Sequence, residues 1–358
     1  TYVEDQDFWR MCGVARQTYL CSRPANNRLE DIRVTPDLDA DYRDGRLTVE
    51  LTVKGRAEAE LSLTDASGAT VATERLVVSG RAGTELKVAS PHKWSAEEPY
   101  LYTLTATLRS GGKVQEVVPV KVGFRKVEIR GSQLLLNGQP VLIKGVDRHE
   151  MDPDGGYVVS EERMMSDMEV MKRYNINAVR TSHYPNDRRW YDMCDLYGIY
   201  VVAEANLESH GMGYGEESLA RRPDFAKTHL ERNSRNVQRN FNHPSVIVWS
   251  LGNEAGDGPN FDACYDWVKR EDPSRPVQYE RAGLRRNTDI YCPMYPDHAY
   301  CERYSASTDS VANRPLILCE YSHMMGNSGG GFRQYWELVR KYPKFQGGFI
   351  WDFADQGL

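Results

Sequence analysis

Leu47, Val49, Leu51 and Val53 alternate with polar residues, and Tyr102, Leu104, Ala106 and Leu108 repeat the pattern. Successive side chains of a strand point to opposite faces, so this period of two predicts half-buried strands. The turn-forming stretches Ala66-Ser-Gly68, Ser79-Gly80 and Ser110-Gly-Gly112 recur between such runs, as in a sandwich. Residues 14–124 are therefore expected to form an immunoglobulin-like β-sandwich of roughly the usual 100 residues. Lys126–Ile129 and Gln133–Leu136, with Asn137-Gly138 as a turn, close this part.

After about residue 139 the rhythm changes. Short apolar runs lie at Val141–Ile143, Asn177–Arg180, Tyr200–Val202, Val246–Trp249, Pro276–Gln278, Asp289–Tyr291, Leu316–Leu318 and Gly348–Trp351. Helical or loop segments separate most of them. Ser160 suits an N-cap, with Glu161 and Glu162 in the first turn of a helix. Met164, Met168 and Met171 then recur at helical spacing, which reads as packing against a sheet rather than as a cofactor box. The expected fold is multidomain: an immunoglobulin-like sandwich followed, over residues 125–358, by a (β/α)8 TIM barrel lacking its last helix. No GxGxxG follows a strand, which weighs against a doubly wound nucleotide-binding sheet. A barrel missing its last helix is expected to leave an unpaired edge and an uncovered core face.

Composition narrows the function. Across 358 residues, charged groups make up 27% and the net charge is −6, which argues against nucleic acid or a membrane surface as partner. No apolar run approaches the roughly 20 residues that span a bilayer. Seven cysteines without CxxC or metal-finger spacing read as reduced thiols and favour a cytoplasmic home. The chain opens on Thr1 and closes just after an apolar strand, so both ends read as cuts in a longer protein.

In a TIM barrel the chemistry sits at the C-terminal ends of the strands. Those ends carry Asp147-Arg-His-Glu150, Arg180-Thr-Ser-His183, Glu204-Ala-Asn-Leu-Glu-Ser-His210, Gly252-Asn-Glu254, Met294-Tyr295, Glu320 with His323, and Trp351-Asp352. A carboxylate closing an apolar strand, as Glu320 does, is costly unless it is paired or used. Glu254 and Glu320 close the fourth and seventh strands and can face each other across the mouth. Two carboxyls flanking a sugar suit glycoside hydrolysis, one protonating the leaving oxygen and one attacking; a spacing of about 5–5.5 Å gives the retaining route. Structural ion pairing with rim arginines is the alternative. Residues Glu208 and His210, two apart in an extended segment, can reach one ion.

These motifs resemble a known family. His243-Pro-Ser-Val-Ile-Val-Trp-Ser-Leu-Gly-Asn-Glu254 looks like the acid/base signature of glycoside hydrolase family 2, and Leu318-Cys-Glu-Tyr-Ser-His-Met-Met-Gly-Asn-Ser328 resembles the nucleophile signature of its large β-galactosidases. Gly145–Glu150, Val179–Asn186, Cys292–Tyr295 and Gly347–Asp352 are further matches. Glu4–Trp9 is similar to the end of that family's sugar-binding domain, which assigns residues 1–13 to it.

The resemblance implies Glu254 as general acid/base and Glu320 as nucleophile, with Arg180 beside Glu320 to keep it ionised. It implies Asn253 on the sugar 2-hydroxyl, His149, His183 and His323 on other hydroxyls, Tyr295 aiding departure from the nucleophile, and Trp351 as an apolar platform. It also implies Mg2+ held by Glu208, His210 and Glu254, and Asp7 touching substrate and a Na+ ion whose other ligands lie outside the chain. The parent protein would be a homo-oligomer acting on terminal β-galactosides such as lactose. β-Glucuronidase, β-mannosidase and an inactive carbohydrate-binding fragment are the alternatives. One departure stands out: Ala203 precedes Glu204 where the family has Asp, a lost charge expected to lie near the site.

Overall fold

The computed structural model describes residues 2–326 and 328–357. Five antiparallel strands come first: β1 (Arg28–Leu38), β2 (Gly45–Thr64), β3 (Thr70–Val88), β4 (Tyr102–Ser110) and β5 (Lys113–Val122). Residues 14–27 contain no strand, and the first strand starts at Arg28, within the expected span 14–124. The first half of β2 pairs with β1 and with the second half of β3. Beyond a bulge between Val53 and Arg56, its second half pairs with β4 and with the first half of β3. Gly55 and Gly80 sit at this crossover with φ of 89° and 74°, where a side chain would be strained. Two long strands thus pass through both layers, turning the corner at a bulge. The Leu29 N–H donates to the Glu116 carboxylate at 2.8 Å, tying β1 to β5 and folding the sheet over one apolar core.

A small sheet of β6 (Val127–Arg130), β7 (Gln133–Leu136) and β8 (Gln139–Pro140) follows. Asn137 and Gly138, with φ of 52° and 78°, form the tight turn between β7 and β8.

The barrel strands are β9 (Ile143–Asp147), β10 (Ala178–Arg180), β11 (Tyr200–Glu204), β12 (Val246–Ser250), β13 (Val277–Gln278), β14 (Leu316–Tyr321) and β15 (Phe345–Ile350). All pair in parallel, in the order β13-β12-β11-β10-β9-β15-β14. The expected sixth strand is not regular. It closes the ring through single bonds: Asp289 N–H to the Val277 carbonyl at 2.7 Å, Tyr291 N–H to Pro315 at 3.0 Å, and Tyr295 N–H to Glu320 at 2.9 Å. The open edge expected from a missing helix is therefore absent among the described residues, because strand closure does not depend on the outer helix.

The helices are α1 (Glu161–Arg173), α2 (Arg188–Tyr197), α3 (Ala226–Asn240), α4 (Pro259–Glu271), α5 (His298–Ala306) and α6 (Phe332–Lys341). After β13 a single 3-10 turn, Glu280–Ala282, stands where a helix would, and no helix follows β15 among the described residues. Ser160 caps α1 by accepting from the Arg163 N–H, and the three methionines are buried in the layer between sheet and helices.

The end of the barrel where the strands begin is plugged by the neighbouring parts. Trp94 from the sandwich, with Leu134 and Leu136 of β7, joins Ile143, Ile247, Ile317 and Phe349 in one apolar cluster. The Trp94 indole N–H donates to the Asp195 carbonyl at 2.9 Å. Arg125, wholly buried, donates to the Pro244 and Val246 carbonyls, fastening the junction. Trp94→Ala removes a fully buried indole and is expected to cost about 3–5 kcal/mol, read as a lower midpoint in urea unfolding.

Candidate active site

At the opposite end of the barrel the Arg180 guanidinium gathers groups from around the ring. Its Nε and Nη2 donate to the two oxygens of Glu204 at 2.7 and 3.0 Å. Nη1 donates to Asp147 at 3.0 Å, to Glu320 at 2.8 Å and to the Cys319 carbonyl at 3.3 Å. Nη2 also reaches the Asn253 side-chain oxygen at 2.8 Å. Arg180 is 1% exposed, and such desolvation is tolerable only because several anions surround it. Glu320 receives a second bond from the Tyr295 hydroxyl at 2.6 Å. Glu320 thus stands where its sequence position placed it, with Arg180 and Tyr295 beside it.

Glu254 occupies the neighbouring rim. Its carboxylate accepts from Arg281 at 2.9 Å and meets His210 Nδ1 at 3.1 Å, while its backbone N–H donates to Glu280 at 3.0 Å. Its φ of 39° is left-handed, as is that of Tyr295 at 47°, a conformation that costs roughly 1–3 kcal/mol and persists only where surroundings enforce it. Sequence reasoning had passed over the fifth strand end and so missed Glu280 and Arg281. The rule that picks out strand ends would have found both. Tyr214, whose ring lies 3.8 Å from the Arg281 guanidinium carbon, sits in a long loop that no periodic pattern marks.

The other expected site residues fall into place unevenly. His183 Nδ1 bonds Glu204 at 2.8 Å, and its ring stacks on Trp351 with centroids 5.1 Å apart. Trp351 is therefore covered on one face. His149 stacks on Phe8 at 4.0 Å and keeps a buried Nε2 without a partner. His323 is exposed, its ring 5.9 Å from that of Tyr295. Asn327 of the same motif lies outside the described residues. The amide of Asn253 is engaged at both ends, by Arg180 and, at 3.1 Å, by Glu208.

The N-terminal segment lies across the mouth. Val3 and Asp5 exchange backbone bonds with Glu208, and the Gln6 side chain donates to Asn206 at 3.0 Å. Asp7 itself is exposed while its neighbours Gln6 and Phe8 make the contacts.

The expected metal ligands are only partly gathered. His210 meets Glu254, but Glu208 stays on Asn253. The three-donor group that the described residues bring within 4.8 Å is instead Asp192, Asp195 and His243, at the plugged end. Ala203 is fully buried in the layer between sheet and helices, facing away from Glu204 and the mouth. A carboxylate there would lie among apolar groups, so its absence removes no charge from the site.

Charge in the mouth is unbalanced toward the negative. Burial raises the carboxyls of Asp147 and Glu204, opposed by Arg180. Burial, with Glu254, Glu204 and Glu320 nearby, pushes Glu208 up to about 9 despite its bond from Asn253. Burial likewise lifts Glu280 to about 8. Burial and then Arg180 push His183 down to about 3, so it is neutral at physiological pH. This sets a sign. The unfolded chain takes up a proton at His183 near pH 6.5, which the folded chain refuses until about 3. Folding stability is expected to fall as pH drops through that window, and His183→Gln to flatten this part of the slope, read by urea unfolding at stepped pH.

Comparison with known proteins agrees with this architecture. The glycosyl hydrolases family 2 TIM barrel domain matches residues 127–358, and the glycosyl hydrolases family 2 domain matches residues 27–125. The whole chain aligns with a β-galactosidase of Aeromonas hydrophila at 49% identity and one of Pectobacterium atrosepticum at 47%. It spans 37% of the length of each of these relatives. A Ruminococcus gnavus β-glucuronidase in complex with uronic isofagomine superposes with a TM-score of 0.80 at 25% identity, over 92% of this chain and 63% of that one. The Dictyoglomus thermophilum β-D-glucuronidase shares the fold, with a TM-score of 0.79 at 23% identity over 91% of this chain and 62% of that one. The sandwich followed by a barrel, and the matched domains that cover both, show that the chain belongs to glycosyl hydrolase family 2.

Proposed function

We propose that the protein to which this chain belongs hydrolyses terminal β-D-galactosides with retention of configuration. The observation that carries the reading is the pairing of Glu320 with both Arg180 and Tyr295 while Glu254 stands one residue from Asn253, on the same arginine. Bonds from a guanidinium and a phenol are strongest to a carboxylate anion, which suits Glu320 to attack the anomeric carbon. Glu254 is more open to solvent, as a group that exchanges protons with a leaving oxygen and then with water must be. In the first step Glu320 forms the glycosyl ester as Glu254 gives its proton to the departing alcohol. In the second, Glu254 takes a proton from water, and the Glu320 carboxylate is released.

The choice of galactoside rests on similarity to β-galactosidases along the whole of this chain. A glucuronide would bring its own carboxylate, and the Arg180 guanidinium that lies deepest in the mouth already serves three carboxyls. The sandwich fits the immunoglobulin-like class, since both halves of β2 and β3 with β1, β4 and β5 make seven strand segments.

Mg2+ belongs to the same proposal. Glu208, His210 and Glu254 would hold it; two carboxylates and an imidazole suit a divalent cation, and the elevated Glu208 carboxyl marks a place short of positive charge. Bound there, the cation would neutralise carboxylate charge and fix the orientation of Glu254.

Aryl β-galactoside, β-glucuronide and β-mannoside are to be compared, with the anomer first released read by NMR. Release of β-galactose is expected, abolished in Glu320→Gln and lowered about 10²–10⁴-fold in Glu254→Gln with a poor leaving group. Preferential release from another glycoside, or the α-anomer appearing first, overturns the proposal.

A further inference from the structure

The three carboxyls on Arg180 are not equally supplied with donors. Glu204 accepts four hydrogen bonds: from Arg180 Nε and Nη2, from the Ser250 hydroxyl at 2.6 Å, and from His183 Nδ1 when that nitrogen carries the hydrogen. Glu320 accepts two, from Arg180 Nη1 and the Tyr295 hydroxyl. Asp147 accepts one through Oδ1, from the same Nη1 that also serves Glu320 and the Cys319 carbonyl. Its Oδ2 is buried and has no partner. Asp147 is also the most enclosed of the two poorly supplied groups, its side chain 0% exposed against 7% for Glu320.

One guanidinium cannot neutralise three buried carboxylates. The charged or titratable groups that face Asp147 are Arg180 from β10, Glu204 from β11, Glu320 from β14 and Tyr295 from the sixth barrel segment. His183 beside them is neutral and adds no cation. With every carboxyl ionised the cluster would carry an uncompensated double negative charge out of water. A buried group in that position neutralises itself by taking a proton. The proton settles where the anion is least solvated.

We infer that Asp147 holds a proton at neutral pH, on Oδ2, and acts as a positioning residue that leaves Arg180 to the Glu320 anion. An uncharged Asp147 still accepts the Nη1 bond through Oδ1, so it keeps the guanidinium in place. It does so without competing for positive charge with the group that must attack. Its environment agrees, since burial, with Glu320 and Glu204 adding to it, raises its carboxyl against the opposing pull of Arg180. The proton stands on the geometry alone; the positioning role rests on the glycosidase reading above.

The proton is read by infrared spectroscopy of the chain at neutral pH. Beside any band from the elevated Glu208 and Glu280 carboxyls, a further carbonyl-stretch band of a protonated carboxyl is expected, lost in Asp147→Asn and kept in Glu204→Gln. Labelling the aspartate carboxyls with carbon-13 is expected to shift the same band in the unsubstituted chain, which needs no variant to fold. Absence of the band, or its failure to shift on aspartate labelling, overturns the inference. The role is read by rescue: Asp147→Ala is expected to lower kcat at least 100-fold more than the isosteric Asp147→Asn. Equal damage by the two overturns the positioning role, because the negative charge would then be what matters. The band in this chain together with no cleavage of β-galactosides by the whole protein leaves the Asp147 proton standing and removes the galactoside reading.

Discussion

The mouth of the barrel is organised by a single cation placed where no water can reach it. Arg180 draws Glu204, Asp147, Glu320 and Asn253 from different positions round the ring onto one planar fork. Burying a guanidinium is unfavourable unless anions surround it, and burying those anions is unfavourable without the guanidinium. Each therefore holds the others in place. The arrangement also removes freedom from Glu320, whose direction is set by Arg180 on one oxygen and Tyr295 on the other. A nucleophile held in one orientation before substrate arrives needs little reorganisation to react.

Much of this was legible in the sequence. Period-two runs marked the sandwich strands, since half-buried strands must alternate. The rule that barrel chemistry lies at strand ends picked out Glu254, Glu320, Arg180 and Tyr295 without any knowledge of their contacts. What stayed hidden is what periodicity cannot encode. Residues 14–27 form no strand, and no alternating run in the sequence marked where the first strand begins. The sixth strand reads as an apolar run yet makes only scattered bonds. Glu208 and His210 stand two apart in sequence yet bond different neighbours, Asn253 and Glu254, and such a choice of partner appears only in three dimensions. Ala203 looked like a missing charge because sequence adjacency to Glu204 says nothing about which face of the strand it occupies.

The two parts of the chain are joined through polar and apolar contacts at the plugged end. Trp94 fills the bottom of the barrel, and Arg125 satisfies the Pro244 and Val246 carbonyls where the fourth strand begins. That end carries structure while the other carries chemistry, so the mouth can gather destabilising charge without being asked to hold the domains together.

The long strands of the sandwich have a mechanical consequence. Because β2 and β3 each contribute to both layers, neither layer can detach while the other persists. A sandwich built from separate strands can open one sheet at a time, as a sequence of local events. Here the two sheets share their backbone, so fraying at β1 or at β5 is transmitted through the crossover at Gly55 and Gly80. The sandwich should open and close as a single cooperative foldon, its amide hydrogens exchanging with one common free energy.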